Sequence, residues 1–312
     1  MSKKIRIVEV GARDGLQNEK VSLSPAVRTS FIKKMVDAGI NNIELGAFVS
    51  PKWVPQMAGS SKIAKNLMLA QKNGSISKSV KFSALVPNLR GMEEALESGV
   101  KEVAVFGAVS ESFSQMNINC SVKESLKRFE QVVEIAHKHR VKVRGYVSTV
   151  FGCPFEGKVS ESKVVSMTNS LLNLGVYEVS LGDTIGVAHP KQVVSIVNKL
   201  LKKTTADKIA MHFHDTRGTG LSNVLASLQC GITSFDSSLG GLGGCPYAPA
   251  ATGNIATEDL LYMLHSMGYR TGIDLDRVIK INKWMSTKVK RQLPSKVGAA
   301  GLPKTVPIKK RK

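Results

Sequence analysis

Eight short, β-branched runs recur along the chain, and a stretch with helical periodicity follows each of them. The runs are IRIVEV from Ile5, NIELGAF from Asn42, KFSALV from Lys81, EVAVFGAV from Glu102, KVRGYVSTV from Lys142, EVSLGDT from Glu178, IAMHFHD from Ile209 and SFDSSL from Ser234. Their near-continuous apolar character suits parallel strands buried on both faces. Between them lie helix signals. SPAVRTSFIKKMVDAG offers Ser24 as N-cap, Pro25 at the first helical position and Gly39 as the stop. SVKESLKRFEQVVEIAHKH has Glu124 three residues after Ser121, the spacing of a capping box. Eight such units with no break in composition predict an α/β fold, a (β/α)8 TIM barrel, where a doubly wound open sheet would usually have fewer strands. The 312 residues fit one large barrel. We assign residues 1–273 to the catalytic barrel and 274–312 to a short helical extension with a basic tail.

Composition narrows the function classes. No run of about 18 apolar residues is present, so no membrane span is expected. The opening MSKKIRIVEV enters a strand without an apolar signal core or small-residue cleavage site, which points to the cytoplasm. Cys120, Cys153, Cys230 and Cys245 show no CxxC spacing, which argues against both a disulfide framework and a cysteine zinc site. The formal charge is +20, and from Arg277 onward there are twelve Lys and Arg residues and no Asp or Glu. A tail of this kind can engage nucleic acid or another anion. Without interleaved aromatics it reads as a solvated end, so nucleic-acid binding is not favoured.

A barrel of this type carries its site at the C-terminal ends of the strands. The polar residues expected there are Glu9, Arg13, Asp14 and Gln17 after the first run, Glu44 on the second and Arg144 on the fifth. Asp183 follows on the sixth, and His212 and His214 on the seventh. His212 and His214 are one residue apart, so strand alternation turns both imidazoles to one face and Phe213 to the other. Such a pair at a strand end points to a metal. Asp14 is the best third ligand, and Asn254, in the loop after the eighth run, is placed to reach the same ion. This mixed nitrogen and oxygen set suits Mg2+, Mn2+ or Co2+ better than a closed zinc site, with open positions left for substrate oxygens; Mg2+ or Mn2+ is the expected cofactor. That loop, GLGGCPYAPAATGN, also sets the thiol of Cys245 among glycines on the rim.

VEVGARDGLQNEK, GAFVSPKWVPQMA, YVSTVFGCPFEGKV, SLGDTIGVAHP, HFHDTRG and GLGGCPYAPAATGNIATEDLLYML resemble the 3-hydroxy-3-methylglutaryl-CoA lyase family of the DRE-TIM metallolyase superfamily. The resemblance runs from about Ile5 to Asp274. It implies metal-dependent cleavage of an acyl-CoA substrate to acetyl-CoA and acetoacetate, a reaction of leucine degradation and ketone-body metabolism, in a homodimer or larger homo-oligomer. It implies that Asp14, His212, His214 and Asn254 hold the cation, and that Arg13, Asp14, Glu44, Asp183, His212 and Cys245 serve catalysis. Arg13, Gln17 and Arg144 are the candidate substrate contacts, while Glu9 and Glu258 support the site. Ala12 stands where relatives usually carry proline, and Thr149 where they often carry cysteine. No cysteine lies near the C-terminus, so thiol regulation through such a residue is not expected.

In the chemistry so implied, the metal activates the C3 hydroxyl and Asp14 or His212 accepts its proton. Arg13 stabilises the thioester enolate, and the Cys245 thiol protonates the enolate carbon. Rival readings are a Claisen-condensing synthase of the same superfamily, a lyase for a longer 3-substituted glutaryl-CoA, and a binding protein built on an inactive barrel. The synthases usually continue into further C-terminal domains and lack the GGCPYA loop.

Overall fold

The computed structural model describes residues 3–244 and 253–303. Among them eight parallel strands close into a barrel: β1 (Arg6–Glu9), β2 (Asn42–Ala47), β3 (Lys81–Leu85), β4 (Glu102–Ala108), β5 (Lys142–Ser148), β6 (Val179–Gly182), β7 (Ile209–His212) and β8 (Ser234–Ser237). Each pairs with the next, and β8 closes on β1 with Glu9 opposite Ser237. Parallel neighbours need a crossover, and helices provide it. These are α1 (Pro25–Asp37), α2 (Ser60–Lys72), α3 (Leu89–Glu97), α4 (Glu111–Ile118) and α5 (Val122–Lys138). They continue with α6 (Glu161–Leu174), α7 (Pro190–Leu201), α8 (Gly220–Gln229) and α9 (Thr257–Ser266). Two more, α10 (Leu275–Val289) and α11 (Lys296–Ala300), follow the last barrel helix. None is long and apolar enough to cross a membrane.

Local signals act where expected. Ser24 Oγ accepts the Val27 N–H at 3.3 Å, Pro25 opens α1, and Gly39 at φ +90° lets the chain turn after it. Ser121 and Glu124 form the reciprocal capping box of α5. The strands are shorter than the apolar runs. β7 stops at His212, and His214 bridges instead to Asn254. The ends of the runs have left the ladder to become rim, which is what makes them available for chemistry.

The α10–α11 segment docks onto the barrel. Trp284 stacks on Phe31 of α1 at 6.4 Å, and the ammonium groups of Lys34 and Lys288 lie 5.3 and 5.5 Å from its ring. Val278, Met285 and Leu293 of this segment are buried. Leu293 fills the space beside Gly240, so the extension also backs the glycine turn on the active rim. The tail from Lys304, including the terminal KKRK, lies outside the described residues.

Candidate active site

Arg13 and Asp14 sit in a single wide helical turn, Gly11–Gly15, immediately after β1. The turn aims adjacent side chains into the barrel mouth. Arg13 is only 7 % exposed, and burial of a guanidinium requires counter-charge. Its Nε and Nη2 donate to Glu44 Oε2 at 3.0 and 2.9 Å, and its Nη1 donates to Asp14 Oδ1 at 2.5 Å. Burial opposes ionisation of Asp14, but Arg13, His212 and His214 hold its pKa down to about 2. Glu44 is different: burial pushes it up, and Arg13 offsets this only in part.

His212 and His214 face the same cavity, their rings 5.4 Å apart, while Phe213 points into the core. One donor atom from each of Asp14, His212 and His214 lies within 4.8 Å of the others. His212 Nε2 is 3.9 Å from Asp14 Oδ2, and its Nδ1 faces Asp236 Oδ2 at 3.2 Å. Burial works against a charge on His212, yet Asp236 and Asp14 together raise its pKa. Burial, with His212 alongside, pushes His214 down to about 4, so it is a neutral imidazole with a lone pair to offer. Its buried Nδ1 has no hydrogen-bond partner among the described residues. One carboxylate and two imidazoles, one of them with an orphaned buried nitrogen, make a donor set that fits a divalent cation. Asn254 is in contact with this group, and its Nδ2 donates to Asp14 Oδ2 at 2.8 Å and to the Leu242 carbonyl at 3.1 Å. In this orientation Asn254 braces Asp14 with nitrogen, and ligation would use the amide oxygen.

The cluster opens into a cleft of about 950 Å³, lined by Arg13, Asp14, Gln17, Tyr146, His212 and His214 and continuing past Phe106, Phe113 and Met116. Gly244 lines it too; Cys245 itself lies outside the described residues. Gly253 donates its N–H to the Gly243 carbonyl at 3.1 Å.

Other predicted residues stand behind the cleft rather than on it. Glu9 accepts from the Gly11 and Leu239 N–H groups and from Thr257 Oγ1, and Glu258 accepts from the Gly240 N–H and Asn282 Nδ2. Both carboxyls brace the turn Leu239–Gly241, whose Gly240 and Gly241 have φ near +71° and +70°. Burial raises Glu9 to about 7 and Glu258 to about 8. Asp183 accepts from the Val187 and Ala188 N–H groups at 2.9 and 3.1 Å, so it shapes its own loop; burial lifts it to about 6.

Arg144, read from sequence as a substrate contact, is 1 % exposed and fully engaged below the cleft floor. Its Nε donates to Glu178 at 2.7 Å, Nη1 to the Tyr146 hydroxyl at 2.9 Å and Nη2 to Asp236 at 2.7 Å. Its charge is spent on buried carboxylates and does not reach the cavity. Sequence reading missed Asp236 and Glu178. The available signal was an acidic residue inside a run that otherwise reads as a fully buried strand, which needs a buried cationic partner.

The fold and the site define a (β/α)8-barrel enzyme with a two-histidine, one-carboxylate centre beside a buried arginine. The family model described as HMGL-like matches residues 4–285, and the chain belongs to that family. A 3-hydroxy-3-isohexenylglutaryl-CoA/hydroxymethylglutaryl-CoA lyase of Pseudomonas aeruginosa is 50% identical over 279 residues, covering 89% of this chain and 91% of the relative. A solved hydroxymethylglutaryl-CoA lyase from Pseudomonas aeruginosa superimposes with a TM-score of 0.91 at 47% identity, covering 96% of this chain and 98% of that one. Another, from Acinetobacter baumannii in complex with coenzyme A and 3-methylmalate, gives 0.89 at 36% identity, covering 97% and 98%. Like these relatives, the chain is a carbon–carbon lyase.

Proposed function

We propose that this protein cleaves 3-hydroxy-3-methylglutaryl-CoA to acetyl-CoA and acetoacetate, using Mg2+ or Mn2+ held by Asp14, His212 and His214, with Asn254 beside them. The observation that carries the reading is the convergence of those residues with Arg13 at one strand-end rim. A bound cation would polarise substrate oxygens and lower the pKa of the C3 hydroxyl. The chain's own residues supply the rest. The hydroxyl proton passes to an acceptor in the Asp14–His212 pair. Arg13, kept rigid by Glu44, presents a fixed positive charge to the thioester oxygen as the enolate forms. Cys245, whose thiol has a reference pKa of about 8.5, delivers the proton to the enolate carbon. Burial of Arg13 strengthens its field at the reacting oxygen relative to water.

A coupled assay for acetoacetate tests this. The expected result is product that depends on added Mg2+ or Mn2+ and falls by about 10²-fold or more in Arg13→Gln. Cys245→Ala should fall comparably. Full activity in either variant would overturn the role of the residue replaced.

The cleft's continuation past Phe106, Phe113 and Met116 favours a second, broader reading, in which a longer apolar 3-substituent is accepted. Comparing kcat/KM for methyl and isohexenyl substrates decides between them. A loss of two orders of magnitude or more with the longer chain would restrict the enzyme to the methyl substrate.

A further inference from the structure

We propose that Asp236 is a positioning residue that sets which nitrogen of His212 faces the cluster, and thereby how tightly the Asp14–His212–His214 centre holds a divalent cation. The inference rests on the metal reading above. His212 and Asp236 are register partners on β7 and β8, so the ladder itself puts the imidazole beside the carboxylate. Asp236 is 2 % exposed. Its Oδ1 accepts from Arg144 Nη2 at 2.7 Å, and its Oδ2 accepts from Ser180 Oγ at 2.7 Å and Arg144 Nη1 at 3.2 Å. With the Arg144 guanidinium against both oxygens, Asp236 is an ionised acceptor with no proton to give.

The contact from Asp236 Oδ2 to His212 Nδ1, 3.2 Å, is therefore satisfied only when Nδ1 carries the proton. In the neutral ring that can ligate, the lone pair is then on Nε2, the nitrogen 3.9 Å from Asp14 Oδ2. The other tautomer would set a lone pair against a carboxylate and point an N–H into the space a cation would occupy. Asp236 cannot easily turn away, because Arg144 is itself fixed by Glu178 and the Tyr146 hydroxyl. The edge of Tyr146 also lies against the His212 ring, at 6.3 Å and 87°. His214 has no comparable carboxylate, and its Nδ1 is unpaired among the described residues.

Asp236→Asn keeps the shape and reverses the logic. The carboxamide should turn its oxygen to Arg144 and its N–H to His212, so Nδ1 becomes an acceptor and Nε2–H points into the centre. Loss of such a supporting partner typically weakens metal binding about 10- to 100-fold. Mn2+ titration of the metal-free full chain, followed by the EPR signal of free Mn2+, should show a Kd raised by that factor. Nitrogen NMR of 15N-histidine-labelled protein at alkaline pH, with His212 assigned by its loss in His212→Gln, should show Nδ1–H in the wild type and Nε2–H in the variant. Unchanged Mn2+ affinity in Asp236→Asn, or Nε2–H in the wild type, overturns the proposal. Restored affinity in Arg144→Met/Asp236→Asn does so as well, since it would make Asp236 merely a counter-charge for Arg144. The wild-type spectrum decides the matter even if the variant does not fold. Should the wild type not bind Mn2+, or bind it undiminished in Asp14→Asn, the metal reading fails while the tautomer still judges Asp236.

Discussion

Arg13 holds a full charge at 7 % exposure because Glu44 and Asp14 grip three of its nitrogens. Glu44 in turn accepts from the Tyr146 hydroxyl at 3.1 Å, so one carboxylate fixes two side chains that face the cleft. Glu44→Gln removes the charge and leaves the size. It should lower kcat by about 10²-fold through misplacement of the guanidinium, with a smaller change in KM. Steady-state kinetics run beside a thermal melt checks this, since a misplaced arginine lowers turnover without unfolding the barrel. Asp14→Asn should be more severe: it removes both the cluster's carboxylate and the ion pair to Arg13, and activity should drop to background even at high Mn2+ concentration.

At the scale of elements, the turn Leu239–Gly241 is held from below by two buried carboxyls whose raised pKa values give stability a definite pH dependence. In the unfolded chain both titrate near 4.5, whereas in the fold Glu9 titrates near 7 and Glu258 near 8. Below the unfolded value both states are protonated and the full stability is present. Between the unfolded and folded values the unfolded chain ionises while the fold keeps its protons, so stability falls as pH rises, and the loss is complete above about 8. Calorimetric Tm should therefore decline from about pH 4.5 to about pH 8. Glu258→Gln, neutral throughout, should flatten that slope; an unaltered slope would mean that Glu258 is not a source of it. Leu293, pressed against Gly240 from the C-terminal segment, links this turn to α10 and α11. Leu293→Ala should cost about 2–5 kcal/mol, seen as a lower urea midpoint.

For the whole molecule, a ladder of opposite charges runs through the barrel, from Arg6 to Glu178, Arg144, Asp236 and His212. It joins β1, β5, β7, β8 and, through Glu178, the residue that enters β6, so the same residues that organise the rim also tie strands distant in sequence. Arg144→Met removes one partner from each of two buried carboxylates, Glu178 and Asp236. Its cost should be about 3–5 kcal/mol, measured by chemical denaturation, with weakened Mn2+ binding through Asp236.

The strand–helix alternation and the His-x-His spacing were legible without coordinates because both are periodicities of the local chain: a period of two sets faces, and caps set helix starts. Arg13, Asp14, His212, His214 and Asn254 could be gathered in advance because barrel closure makes the first, seventh and eighth units neighbours. What lies underneath could not be read this way. Arg144 looks in sequence like any arginine near a strand end, and only the register of β5 against β6 and the contact across the barrel to β8 show that its charge is spent on Glu178 and Asp236. Asp236 looks like a polar interruption in SFDSSL until β7 sets His212 beside it. A sequence by itself determines which face each strand side chain takes and where the helices start, since those depend on local periodicity and caps. Which buried charge answers which is decided by tertiary structure, because desolvation forces pairing across strands that the chain order keeps far apart.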